Sequence, residues 1–380
     1  MITQLDAPSS RTSFTGWWRM VGVIVELELR QRLRTTRWKA TLVVAFVVTS
    51  LAVFGSMYLA VGVFGGTYTG WASNLYGLLV GFLLLLGIIV APTLAATTIN
   101  GDRKDATLAV VQDTAIGNWQ LALGKLIGSW VAGLALVAVA APYLIWGVIE
   151  APQPIWRGVL GTIVLALIFA CYAGIGLGFS AVTARPAGSA VLTQSAVFFL
   201  LLGLPVAFGL LYPTVAQTHS VVRTDTAVTD PSSPTPTWTC REVTRDEEFH
   251  HHERIWWLLA PNPFFIVADA VSSPPENPLR TSDSTAAQEI SRTLSAVRAG
   301  PYIGPRTCAD ISYGFSYGYV DEGDRSGHRA REAAHETSEM GHSWFVGLGI
   351  YLVFGGLGYV VAARRLRIPA GKLPRGVRIA

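Results

Sequence analysis

Five stretches of this chain contain no Asp, Glu, Lys or Arg: Ala40 to Gly101, Leu126 to Ile149, Gly158 to Ala184, Pro186 to Val222 and Ser343 to Ala363. A helix rises about 1.5 Å per residue, so roughly 20 apolar residues cross the hydrocarbon core of a bilayer. The first window is long enough for two crossings and each of the others for one. This predicts six spans, approximately 40 to 64, 71 to 98, 121 to 148, 158 to 182, 189 to 212 and 343 to 363. The first window is broken by Gly65, Gly66, Thr67, Tyr68, Thr69, Gly70 and Trp71, a tight turn whose aromatics suit the membrane–water interface. Hydrophobic residues make up 51% of the chain and charged residues 14%, about half the charged share of soluble domains. The expected fold class is an all-α membrane protein of six transmembrane helices.

An even number of spans puts both ends on one side. Arg11, Arg19, Arg30, Arg32, Arg34, Arg37 and Lys39 precede the first span, and Arg364, Arg365, Arg367, Lys372, Arg375 and Arg378 follow the last. The positive-inside rule therefore expects both termini in the cytoplasm, with a short cytoplasmic turn at Arg185. The residues ahead of the first span lack the apolar run and cleavage site of a signal peptide. Gly16 to Arg37 instead has helical periodicity: Arg19, Glu26, Arg30 and Arg37 share a stripe, and Trp17, Val21, Ile24 and Val25 lie on the other side. Such a helix lies in the cytoplasmic interface, as a plain anchor near anionic headgroups or as a docking surface for a cytoplasmic subunit. Glu28 departs from the pattern by falling on its apolar side.

The expected organisation is a cytoplasmic tail and interfacial helix (1–39), spans one to five (40–212) with a cytoplasmic loop at 99–120, an extracytoplasmic loop (213–342), the sixth span (343–363) and a basic tail (364–380). Pro213 to His342 is rich in Pro, Ser and Thr and carries 11 Arg against 18 acidic residues, so its net charge is 7 negative where the whole chain is +4. That sign distribution suits a bacterial inner-membrane protein. The 4 Lys against 25 Arg, with abundant Ala, Gly and Val, suggest a GC-rich genome.

Cys240 and Cys308 lie in this loop, where an oxidising exterior permits either a disulfide or two unpaired thiols. A bond would stabilise the loop by about 4 kcal/mol on the chain-entropy account. Cys171 lies within the fourth span, as an inert packing residue. Arg254 to Val271 is apolar but interrupted by Pro261 and Pro263, so it cannot span as one helix. It is expected as a re-entrant helical hairpin in the outer leaflet, with Trp256 and Trp257 at the interface; the alternative is a buried helix of a small exterior domain. All seven histidines, His219, His250, His251, His252, His328, His335 and His342, fall in the same loop. Their spacing does not suit ligands on one helical face, which favours solvated side chains over a metal site.

No catalytic constellation is present: no Ser-His-Asp order, no HExxH motif and no paired carboxylates at membrane depth. Gly117 to Lys125 imitates a phosphate-binding loop, but six residues separate the glycines and Leu126 stands where a Ser or Thr is required. Gly174, Gly176 and Gly178, inside a span, suit close helix packing instead.

The charged interruption between spans two and three carries a family resemblance. Asp102, Arg103 and Asp105, then Thr107 and Leu108, Thr114, and finally Gly124 and Lys125 at the opening of span three resemble the corresponding loop of ABC-2 type (type V) exporter membrane subunits, with Ala106, Ala109 and Ala115 departing from its pattern. Glu28, Leu29, Arg30, Arg32, Leu33 and Arg34 resemble that family's connecting helix, and Asn262-Pro263-Phe264 with Asp269-Ala270 its segment before the last span. The resemblance implies a permease half without its own ATPase site, bound by a separate ATPase subunit that holds ATP and Mg. It also implies a second permease subunit, as homo- or heterodimer, a membrane-lipid environment and no nucleic acid. Coupling to the ATPase would fall to the connecting helix and to Asp102 through Trp119, with Leu108, Val110 and Val111 as apolar contacts. The alternative is a membrane-anchored receptor or assembly factor acting through its exterior loop.

Overall fold

The computed structural model describes residues 14–104, 116–228, 238–279, 284–310 and 327–366. Six helical stretches in it are long and apolar enough to cross a membrane: Trp38–Val63, Tyr68–Arg103, Asn118–Glu150, Ile155–Val182, Pro186–Val215 and Trp344–Arg365. Helix α1 (Phe14–Arg34) precedes them. Span one is α2 (Thr36–Met57) continued by a π-helical turn, Tyr58–Val63. Span two is α3 (Tyr68–Ala96), followed after Thr97 by a short α4 (Thr98–Lys104). Spans three and four are α5 (Asn118–Glu150) and α6 (Ile155–Val182). Span five is α7 (Pro186–Phe198), a π-helical turn at Phe199–Gly203, and α8 (Leu204–Leu211). Span six is α12 (Trp344–Arg365).

Local chemistry sets the boundaries. The Thr35 hydroxyl donates to the Arg32 carbonyl at 2.8 Å and accepts from the Trp38 N–H at 3.4 Å, ending α1 and starting α2 with one side chain. Thr67 caps span two by accepting from the Gly70 N–H at 3.1 Å. Gln120 reaches back from the first turn of span three to accept from the Gly117 N–H at 2.7 Å.

Prolines inside spans remove backbone donors, and at two of them polar side chains supply a replacement. Pro92 cannot donate to the Ile88 carbonyl; Gln194 of span five donates to it at 3.1 Å. Pro205 likewise leaves the Leu201 carbonyl without its α-helical donor, and Asn262 supplies one at 3.2 Å. These polar side chains cross-link neighbouring elements at carbonyls that lipid could not satisfy.

The loop between spans five and six is more ordered than its composition suggests. It opens with an antiparallel hairpin, β1 (Ala216–Val228) and β2 (Trp238–His250), in register from Ala216 opposite His250 to Val228 opposite Trp238. The hairpin adds a small sheet to the otherwise helical fold; the β-branched run of Val221, Val222, Thr224, Thr226 and Val228 is the signal in the sequence that marks it. A disulfide joins Cys240 to Cys308. Asp310 continues the strap: it accepts from the Thr307 backbone N–H at 2.8 Å and from Arg331 at 2.9 Å. The Thr307 backbone bond, aided by the Thr307 hydroxyl and Arg331, holds the Asp310 carboxyl below its ordinary range. Three helices complete the loop: α9 (Pro263–Val271), α10 (Ala286–Ala299) and α11 (His328–Thr337).

The histidines are not the solvated set that their spacing suggests. His219 and His251 meet Nε2 to Nε2 at 2.8 Å, and the other nitrogen of His251 lies 2.6 Å from Glu253. His250 stacks on Tyr212 at 4.3 Å, and His328 and His335 both pack on the Tyr302 ring. Aromatic and carboxylate neighbours distant in sequence use these rings as packing and hydrogen-bonding groups. His342 alone among the seven is exposed. Among the described residues, no group of three or more His, Cys, Asp or Glu could hold a metal ion.

Span four is the most enclosed, spans one and five the least. Within a bilayer, apolar helices gain little from hiding apolar surface, and close contact becomes the main attraction. The glycines of span four provide it. A Cβ on Gly174 would lie 2.5 Å from the Gly355 carbonyl oxygen, and one on Gly178 would lie 2.6 Å from the Gly358 Cα. Both obstacles are backbone, which cannot rotate aside. Gly174→Leu or Gly178→Leu should therefore separate spans four and six and lower thermal stability in detergent by at least about 2 kcal/mol. Gly349→Leu and Gly356→Leu, where a Cβ meets nothing within 4 Å, should melt like the wild type in the same assay.

Candidate functional site

At the end of the bundle that carries α1 and α4, a single buried cation holds three elements together. Helix α1 crosses span three on two small residues: a Cβ on Gly124 would lie 2.6 Å from the Ile24 Cβ, and one on Gly128 would lie 2.8 Å from the Glu28 Cβ. That close approach brings Glu28 beside Lys125, whose Nζ donates to Glu28 Oε1 at 2.6 Å and also to Asp102 Oδ2 of α4. Lys125 is 3% exposed. Glu28, which departs from the amphipathic pattern of α1, thus faces inward because its partner is there.

A second cation, Arg32, completes the cluster. Arg32 donates to the Leu94 carbonyl at 3.2 Å and reaches Ser129 at 3.5 Å. Burial pushes its guanidinium below the ordinary value, and the neighbouring Glu28 opposes that shift. Two cations and two carboxylates therefore balance in a poorly solvated site, the condition under which buried charges are tolerated.

Helix α4 is docked on the end of span four. The backbone N–H groups of Ile99 and Asn100 both donate to the Ser180 hydroxyl at 3.2 Å, Asn100 Nδ2 donates to the Thr183 hydroxyl at 3.0 Å, and Arg103 donates to the Ala181 carbonyl at 3.4 Å. Beneath them Ile24, Ile99, Leu121, Leu177, Ala362 and Leu366 form a second apolar cluster, separate from the main core. Asp102 and Arg103 are thereby positioned by α4, while Asp105, Thr107, Leu108 and Thr114 lie outside the described residues.

The structure thus brings Glu28, Asp102, Gly124 and Lys125 together from three places in the chain. Arg30 and Arg34 stand apart on the exposed side of α1, Arg30 paired with Glu26. One expectation needs correcting: Gly124 and Lys125 do not open span three, which begins at Asn118. They occupy its second turn, because the helix extends beyond the apolar window to meet α1. Ser180 and Thr183 are the members of the cluster that sequence reasoning misses. Two hydroxyls at the end of an apolar span are the faint signal for them.

At the opposite end, a buried carboxylate has a similar role. The broken segment forms two 3-10 turns, His252–Arg254 and Trp256–Leu258, before α9. Pro261 is buried in the turn between them and α9. Asn262 caps α9 by accepting from the Phe264 N–H at 2.9 Å, and Pro263 opens the helix. Trp256 lies under the Arg298 guanidinium at 5.0 Å, whereas Trp257 is 53% exposed. Asp269 is fully buried. It accepts from Ser291 Oγ at 2.7 Å and from the backbone N–H groups of Gly341, Ser343 and Trp344 at 2.8, 2.7 and 2.9 Å. It therefore anchors α9 and α10 to the N-terminus of span six, where negative charge is favoured. Gly341 permits the approach by its positive φ of 78°.

A family described as ABC-2 family transporter protein matches residues 23–258, from α1 through the five following spans and the hairpin. No curated protein matches the chain.

Two outcomes test the anchoring groups. Lys125→Met should destabilise the protein by about 3 kcal/mol, because two carboxylates lose their shared cation. Adding Glu28→Gln and Asp102→Asn to that variant should recover most of the loss in thermal melts. Asp269→Ala should cost about 3 kcal/mol or more, since hydrogen bonds to an ionised acceptor are worth about 1.5 kcal/mol and upward each. Faster hydrogen exchange at the start of span six should accompany it.

Proposed function

The chain belongs to the ABC-2 transporter family, and from that premise we propose that it is the permease subunit of an ATP-driven exporter, working with a separate ATPase subunit. Two permease subunits face each other across the pathway, in a bacterial inner membrane with both basic ends in the cytoplasm. The observation that carries the coupling reading is the Lys125 cluster. Helix α4 carries the first residues of the family's charged loop, and α1 and α4 are both tied through Glu28 and Asp102 to the same residue of span three. A push from an ATPase on either helix is then passed directly to a span. Arg30, Arg34 and Arg103, all exposed, supply charge that an ATPase surface can engage, together with Asp105, Thr107, Leu108 and Thr114 of the loop.

The least enclosed spans, one and five, support the second subunit. Their outer faces carry Val44, Leu51 and Phe54, and Phe199, Leu202 and Val206, all large and exposed. Each of these spans also contains a π-helical turn, a feature frequent at functional positions of helices.

Co-expression with the cognate ATPase tests the proposal. The two proteins should co-purify, and Arg103→Ala combined with Asp105→Ala should lower ATP turnover by roughly tenfold or more, as loss of interface anchors does. A chain that binds no ATPase, with an isolated exterior loop that binds ligand by itself, would support the receptor reading instead.

A further inference from the structure

Helix α1 has a flank that neither the Lys125 cluster nor the bundle uses. Stepping around the helix at about 100° per residue, Val25, Trp18, Leu29 and Leu33 follow one another beside the buried face. Arg19, Arg30 and Arg34 come next, with Glu26 as the one acidic neighbour. The apolar strip opens onto a groove of about 530 Å³ between α1 and Ile127 of span three, floored by Val21 and Gly22. Trp18 is 46% exposed and Leu33 is 56% exposed. The Arg30 side chain stands at the rim, two-thirds exposed beside Glu26. An apolar slot at the edge of a six-span bundle, with Arg30 and its partner Glu26 at the rim and Arg19 and Arg34 farther round the same helix, has the chemistry of a lipid with an acyl chain and an anionic phosphate.

We propose that this groove is a binding site for one anionic phospholipid, its acyl chain lying between α1 and span three and its phosphate against Arg30 and Arg19. Charge complementarity selects the occupant: the strip beyond the groove carries three cations to one carboxylate, and basic side chains near a membrane surface favour an anionic headgroup. Lipid here would brace the free flank of the helix whose other flank contacts Lys125. The inference does not require an ATPase partner.

Gly22 offers a direct test, because a Cβ there meets nothing within 4 Å and a large side chain fills the slot without disturbing the protein's own packing. The full chain, purified in detergent, would be incubated with dioleoyl phosphatidylglycerol or dioleoyl phosphatidylcholine and weighed by native mass spectrometry. One phosphatidylglycerol per chain should be retained, with roughly fivefold less phosphatidylcholine; Gly22→Trp and the pair Arg19→Gln/Arg30→Gln should each reduce phosphatidylglycerol retention by roughly five- to tenfold. Unchanged thermal melts would confirm that both variants are folded. Equal retention of the two lipids, or wild-type retention by either variant, would overturn the site. Loss of a co-expressed ATPase from Gly22→Trp with phosphatidylglycerol retention intact would also overturn it, by making the groove a protein interface.

Discussion

Lys125 is the point on which the basic end of this protein depends. One ammonium group, almost completely removed from solvent, is shared by carboxylates that arrive from opposite sides, Glu28 on α1 and Asp102 on α4. The geometry is available only because Gly124 and Gly128 let α1 lie against span three without intervening side chains. Removing Lys125 leaves two carboxylates without their shared cation in a poorly solvated site, so the three elements are held as one body. Their shared apolar cluster around Ile24, Ile99 and Leu177 adds shape to that connection but no direction; the charges set the register.

The same constraint recurs at several polar groups among the spans. The Ile88 and Leu201 carbonyls, deprived of donors by Pro92 and Pro205, are answered by Gln194 and Asn262. Asp269 gathers three backbone N–H groups and the Ser291 hydroxyl at the entry to span six. In a bilayer these groups have no solvent alternative, so each becomes a specific link between elements distant in sequence. Between the two polar ends, glycine faces on spans four and six supply contact without chemistry.

The consequence is an uneven molecule. Spans two, three, four and six are bound to one another, to α1 and to α9, while spans one and five are held at the margin and expose most of their apolar surface. On the proposed reading of two facing permease subunits, that division places a firm body beside surfaces free to meet a partner. The loop between spans five and six belongs to the firm part: its hairpin is tied by Cys240–Cys308 and by Asp310 with Arg331, and α9 is packed into the main core through Ile266 and Val271.

The number and approximate limits of the spans were legible in the amino-acid sequence, because charge-free length measured against bilayer thickness leaves few alternatives. The candidate site was legible in part: Glu28, Asp102, Gly124 and Lys125 could be marked by their resemblance to a family pattern. That they meet could not be seen, since they are separated by up to 97 positions and their proximity arises from a helix crossing rather than from spacing. Ser180 and Thr183 gave little local signal, and the histidines misled because neighbours such as Tyr212 and Tyr302 decide whether a ring is solvated. The sequence by itself thus determined how often the chain crosses the membrane, through local hydrophobicity. Only the tertiary structure decided which polar groups share a partner, because a buried charge or an orphaned carbonyl is satisfied by whatever the packing of distant helices brings within hydrogen-bonding reach.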